Sequence, residues 1–231
     1  MKRFWTEVTV AERDGSGFGI ALDERPVNTP GRVRLAVPTH VLAQAIADEW
    51  RAVDIQIDPR AMPLTGLANA AIDRIGPAAD DFAAGLAAYG ESDLLCYRAD
   101  TPAELVARQV AHWDPLLDWA ARHYDVRFET VAGVMHRPQP EATTRRLSHA
   151  VRQRSPFELA GLSPLVTISG SLVAALAMLE GAATRDAVWV AAHVDEDWQA
   201  EQWGEDSLAQ KAREVHRADF DAGARLLALL A

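Results

Sequence analysis

Carboxylates crowd one stretch of this chain. Asp195-Glu196-Asp197, Glu201 and Glu205-Asp206 put six acids in twelve residues, with no basic side chain among them. Acids at that density can move protons, hold a hard cation or steer a basic partner. Glu201 and Glu205 stand one helical turn apart, so in principle a metal can bridge them. A dinuclear site in a helical bundle also needs Glu-x-x-His motifs from partner helices, and the chain has none. No metal is therefore expected.

The other candidate chemistries lack their contexts. His40, His112, His123, His136, His149, His193 and His216 are scattered, with no HExxH and no tight pair. His112 and Asp114 flank Trp113 inside a helical stretch, where successive residues diverge by roughly 100°. Gly15, Gly17 and Gly19 alternate between two extended runs. No helix follows them to present its amides to a phosphate, so they read as a hairpin turn. Ser169-Gly170-Ser171 has the outline of a nucleophile elbow without the strand-turn-helix around it, and reads as close helix packing through small residues. Cys96 is the only cysteine, which excludes an intrachain disulfide and a cysteine zinc site. It sits in the apolar run Leu94-Leu95-Cys96-Tyr97, where a buried thiol is expected.

The elements that must position these residues follow from the pattern along the 231-residue chain. Trp5 to Val10 alternates weakly as a strand. Asp14-Gly15-Ser16-Gly17 is a turn, and Phe18 to Leu22 a second strand. Pro26-Val27 and Arg32 to Leu35 suggest one or two more, making an antiparallel meander. Helices dominate afterwards. One follows Thr39 with Leu42, Ala45, Ile46 and Trp50 on one side. Another is capped by Thr65 and ended by Gly76-Pro77, and a third spans about 79–88. Leu94 to Arg98 is strand-like. Thr101-Pro102-Ala103-Glu104 reads as a capping box opening a helix to about Tyr124. Val126 to Phe128 and Val131 to Met135 are short and extended. The capping signature repeats at Ser155-Pro156-Phe157-Glu158, before a helical run broken near Ser163-Pro164 and resuming to Gly181. Thr184 caps a helix ending at Trp203-Gly204, and a last helix runs from about Glu205 to Leu230.

The fold class this predicts is α+β: a small antiparallel β-rich N-terminal domain over 1–36 and a larger, mainly helical domain over 37–231. The 126–137 strands or adjacent helices are available to the first. No repeat of 20 to 50 residues exists, and no βαβ alternation supports a nucleotide-binding sheet. The net charge of −10 excludes nucleic acid and anionic membrane as main partners, and permits a protein with a basic or polar surface. The N-terminus carries no export stretch. The most apolar segment, 162–179, is interrupted by Ser, Thr and Gly, so a core helix is expected rather than membrane insertion, and a cytoplasmic location.

On a helical wheel over 187–203, Ala187, Val190, Ala191 and Val194 share a core stripe with Trp198. Trp189, Glu196 and Trp203 stack opposite at spacings of seven. A helix apolar on two sides is either central to the core, its Glu196 meeting an arginine such as Arg213 or Arg217, or presents one face to a partner. The candidate partner-binding residues are Glu196, Trp189, Trp203, Glu201 and Trp198, with no catalytic residue and no cofactor.

Several segments together resemble a known family. They are Pro38 with the helix ending Glu49-Trp50, Pro63-Leu64-Thr65, Asp93-Leu94-Leu95-Cys96-Tyr97-Arg98, Trp113 to Ala120 with Tyr124, and Asp195-Glu196-Asp197-Trp198-Gln199 with Trp203-Gly204. The chain resembles the F1-ATP synthase assembly chaperones of the ATP12 type. The resemblance implies a non-enzymatic, bacterial chaperone that binds the F1 α subunit before α/β assembly, with no cofactor. It also implies an essential acid in the C-terminal helical region, placed on Glu196, with Glu201 as competitor. Two other classes stand beside it: a small-molecule enzyme using Glu196 or Glu201 as general acid/base, and a structural scaffold protein. The missing second catalytic group counts against the enzyme.

Overall fold

A computed structural model describes residues 2–13, 15, 17–204 and 206–231. Six strands and ten α-helices occur among the described residues. In order they are β1 (Val8–Arg13), β2 (Gly17–Leu22), β3 (Arg25–Pro26), β4 (Ala36–Val37), α1 (His40–Ala52), α2 (Pro63–Ala70), α3 (Ala79–Ala87), β5 (Tyr97–Arg98), α4 (Ala103–Tyr124), β6 (Val131–Ala132), α5 (Glu141–Arg152), α6 (Pro156–Ser169), α7 (Leu172–Leu179), α8 (Arg185–Ala192), α9 (Val194–Trp203) and α10 (Ser207–Ala228). The α+β class is as expected, with an antiparallel sheet at the N-terminus and helices thereafter. Packing divides the chain into two compact units. One comprises Met1–Ala79, Ser155–Gly161 and Ala222–Ala231, the other Asp80–Arg154 and Leu162–Asp221.

In the first unit, β2 pairs antiparallel with β1, β3 and β4, in the register Val8↔Leu22 and Gly19↔Ala36. The first strand begins three residues later than its alternation predicts. The carboxylate of Asp23 takes the Thr6 and Glu7 amides at 3.0 and 2.8 Å, so the ladder opens only at Val8. The expected strand at Arg32 to Leu35 is reduced to one bridge, Asn28↔Arg34, and pairing resumes at Ala36. Of the predicted turn, Asp14 and Ser16 lie outside the described residues. Gly17 has φ +86°, and a Cβ there would meet the Val37 carbonyl oxygen at 2.3 Å, so glycine is required.

Helix α1 is capped by Thr39, which accepts from Leu42 N–H at 3.2 Å, and it buries the expected Leu42, Ala45, Ile46 and Trp50. Trp50 meets Trp5 edge-on at 5.3 Å. Thr65 does not cap the next helix. α2 opens two residues earlier at Pro63, and the buried Glu49 of α1 accepts from Leu64 N–H, Thr65 N–H and the Thr65 hydroxyl at 2.7–2.8 Å. A carboxylate at a helix N-terminus satisfies orphan amides and faces the positive end of the dipole.

The second unit is built on α4, which packs against α7, α8 and α9. α4 ends at Tyr124 as predicted, on the left-handed Asp125. Its start differs. Pro102 holds the N-cap position without a capping side chain, so Thr101 and Glu104 form no capping box. The second box, in the Ser155–Gly161 segment of the first unit, is real: Ser155 N–H donates to Glu158 at 2.8 Å and Glu158 N–H to Ser155 Oγ at 3.3 Å. α6 then continues through Pro164, and the break comes at Gly170 (φ +66°), after which Ser171 caps α7. Leu94–Cys96 is a 3-10 turn rather than a strand. Asp93, fully buried, holds it to α7 by accepting from Leu95 N–H at 3.1 Å and Val173 N–H at 2.9 Å. Burial pushes the Asp93 carboxyl up to about 6 and the Cys96 thiol up to about 12. β6 pairs in parallel with β5 rather than joining the N-terminal sheet, and α5, buried through Thr143, Leu147, Ala150 and Val151, was not expected at all.

Candidate functional site

Thr184 opens α8 as predicted, accepting from Ala187 N–H at 3.2 Å. The expected single helix is nevertheless two. His193 leaves the helical region at φ −117°, ψ 15°, and α9 starts after it. The imidazole stays buried. It stacks on Trp189 with centroids 3.9 Å apart, and its Nδ1–H donates to the Trp189 carbonyl at 2.8 Å. The break rotates the wheel. α8 buries Val188, Trp189 and Ala191, whereas Ala187 and Val190 face solvent. Trp189 is therefore a core residue. Phe220 of α10 meets its edge at 5.4 Å, and the Arg217 and Arg213 guanidinium carbons lie 4.9 and 5.9 Å from its ring centre.

α9 is attached differently. Val194 is its only buried residue. Its acids diverge as a helix requires. Asp195 accepts from Gln109 of α4 at 2.7 Å, and Asp197 pairs with Arg213 of α10 at 2.5 Å. Glu201 accepts two hydrogen bonds of 2.7 Å from Arg108 of α4, whose guanidinium covers the half-buried Trp198 at 4.9 Å. Those bonds hold the Glu201 carboxyl below the usual carboxylate range. It is thus a fixed ionised partner, the opposite of a general acid. The arginine expected for Glu196 goes to Asp197 instead.

Glu196 alone among the acids of α9 meets neither an arginine nor an amide among the described residues. Its carboxylate lies 3.8 Å from His193 Nε2, and its side chain is 67% exposed. It lies on the same side of α9 as Ala200 and Trp203. With Ala209, Ala212 and His216 of α10 they line an open groove of ≈ 490 Å³. Trp203 is 79% exposed. So Glu196 and Trp203 come together as their spacing predicts. Trp189 lies in the core, and Trp198 and Glu201 turn toward α4. Past α9, Glu205 lies outside the described residues, and Asp206 accepts from Leu208 N–H at 3.0 Å at the start of α10. From 207 to 219 only Arg213 and Arg217 of α10 are partly buried, while Leu208 and Val215 are 72% and 60% exposed. Among the described residues no group of three or more His, Cys, Asp or Glu is arranged to hold a metal ion, and no helix is long and apolar enough to cross a membrane.

The family model for the ATP12 chaperone protein matches residues 2–121. The chain belongs to the ATP12 chaperone family. The crystal structure of Atp12 from Paracoccus denitrificans is 41% identical, covers 100% of this chain and 98% of its own, and superposes with a TM-score of 0.96. An aspartate-to-lysine variant of the same protein gives 40%, the same coverage and 0.96. An Agrobacterium tumefaciens protein described as a chaperone candidate is 41% identical over 100% of this chain and 86% of that one, with a TM-score of 0.94.

Within the span the ATP12 model matches, the residues carrying the resemblance build the fold. Glu49 caps α2 and Asp93 ties down α7. Arg98 pairs with Asp114 at 2.7 Å, and Trp113 donates its indole N–H to the Ala191 carbonyl at 2.7 Å. The acids of α9 lie beyond that span, inside the full-length likeness to the Atp12 structure. Sequence reasoning missed Gln109 and Arg108, which orient Asp195 and Glu201 from more than eighty residues away. Gln109 on the buried side of α4 was the one available signal, because a polar side chain there needs a partner.

Proposed function

We propose that this chain is a cytoplasmic assembly chaperone that binds the F1 α subunit of ATP synthase ahead of α/β assembly, through the face of α9 that carries Glu196 and Trp203. The observation that carries the proposal is the singular position of Glu196. The other acids of α9 are consumed by Gln109, Arg213 and Arg108, while Glu196 stays exposed beside an exposed tryptophan on an open groove. An unassembled subunit exposes apolar surface destined for its neighbours, which is an aggregation hazard. Trp203, Leu208 and Val215 offer apolar cover, and the exposed Glu196 carboxylate adds selection by charge. Such an interface is open and exchangeable, as release to the assembling complex requires. The enzyme reading draws no support from Glu201, whose carboxyl the hydrogen bonds from Arg108 hold below the usual carboxylate range.

Co-purification with F1 α and F1 β separately tests this. Capture of α but not β is expected. Glu196→Lys should abolish capture with an unchanged melting temperature, because the side chain is solvent-facing. Equal capture of both subunits, of neither, or full capture by the Lys variant would sink the proposal.

A further inference from the structure

A second apolar feature stands between α4 and α5. The buried Gln139 closes its base, accepting from Glu129 N–H at 2.9 Å and donating to the Glu129 carbonyl at 2.8 Å. Its middle is pinned by the β5–β6 pairing and by Gly133 N–H donating to the Arg98 carbonyl at 2.8 Å. Tyr97 Oη and His136 Nδ1 share a hydrogen bond of 3.1 Å. Between these ties Val134 and Met135 project into solvent, 91% and 78% exposed. A loop tied at base and middle that still presents two consecutive large apolar side chains is preorganised for contact, because little further ordering entropy is lost on binding. Methionine adds adaptable packing.

Beside this knob lies a cleft of ≈ 400 Å³ whose apolar walls include Val110, Leu117, Ala121 and Phe128. Arg98 joins the two features: it pairs with Ala132 in the β5–β6 ladder and lines the cleft. Its charge is met by Asp114 at 2.7 Å. The exposed Asp118 also lines the cleft and has no partner among the described residues, so the net charge presented there is negative.

We infer that the Val134-Met135 knob and the cleft edged by Asp118 form a second docking surface for the client polypeptide, taking an apolar segment that carries a lysine or arginine. An apolar side chain fills the cleft, its cationic neighbour meets Asp118, and Val134 and Met135 pack on the flanking chain. Anionic lipid is disfavoured by the same carboxylate and by the net charge of −10.

This inference rests on F1 α being the client, and the test separates the two. Binding to immobilised F1 α is measured for the unchanged protein, for V134S/M135S and for D118K, with thermal melts of each. All three should melt together, since the altered side chains face solvent. V134S/M135S should weaken binding about tenfold or more, and D118K should weaken it more at low than at high salt. If the unchanged protein binds F1 α and V134S/M135S binds equally well, the second surface is overturned and the α-subunit reading stands. If the unchanged protein does not bind F1 α, both fall. Binding to phosphatidylglycerol vesicles that V134S/M135S abolishes would overturn the surface in favour of a membrane contact.

Discussion

Asp93→Asn isolates a buried carboxylate whose cost the structure lets one work out. Asp93 is fully buried, and its carboxyl is raised to about 6 from 3.8 by desolvation, against the opposing hydrogen bonds from Val173 and Leu95 amides. Between those values the folded chain keeps a proton that the unfolded chain has released. Stability therefore falls as pH rises from about 4 to 6, by about 3 kcal/mol in total at roughly 1.4 kcal/mol per unit. Asparagine cannot ionise, so its stability lacks this slope. It has one acceptor oxygen instead of two, so it also carries a constant penalty of about 1–3 kcal/mol from an amide left facing its NH2 group. The observable is the difference between the two proteins, in which the other titrations cancel. Urea unfolding followed by tryptophan fluorescence at several pH values from 4 to 7.5 gives it directly. The original should lead at pH 4, and the difference should move by about 3 kcal/mol in favour of the Asn variant towards pH 7, so that the order levels or reverses. A pH-independent gap would refute the assignment of a raised pKa to Asp93.

Glu49→Ala leaves the Leu64 and Thr65 amides without an acceptor and should cost about 2–4 kcal/mol in urea unfolding, with Glu49→Gln recovering part of that. Gly17→Ala places a Cβ against the Val37 carbonyl at positive φ, and a loss of at least about 2 kcal/mol in thermal unfolding is expected. α9 buries one residue and is otherwise held by polar contacts. Arg108→Ala should therefore speed hydrogen exchange of its amides while α7 is unaffected, and high salt should do the same to the unchanged protein. Equal exchange in α9 of both proteins at low salt would contradict this.

Features that depend on near neighbours were legible in the residues. The Ser155-Glu158 box, the Thr39 and Thr184 caps, the buried stripe of α1 and the end of α4 all arise from groups within a few positions of each other. The same holds for Glu196 and Trp203, which share one side of α9 because seven residues make two turns. The α+β class followed from where the alternating and helical periods lie, and the family from motifs whose spacing needs no fold to be read.

Tertiary structure decided what depends on distant groups. Nothing near Pro63 announces that its helix is capped by Glu49, and nothing near Thr101 announces that a plausible capping box goes unused. A wheel drawn across His193 assumed one axis. The break falls where Trp189 meets Phe220 and Arg217 on one side of the joint while Arg108 of α4 covers Trp198 on the other. On paper Glu196 stood out only by its place on the wheel and by the family resemblance, and no partner could be assigned to any acid of α9 from its near neighbours. Their partners emerged only when Arg108, ninety-three residues before Glu201, and Arg213 on the following helix reached Glu201 and Asp197, because ion pairs form through space. The sequence by itself determined that a helix near the C-terminus bears clustered acids and tryptophans. Only the folded chain determined that Glu196 and Trp203 are the pair left facing solvent.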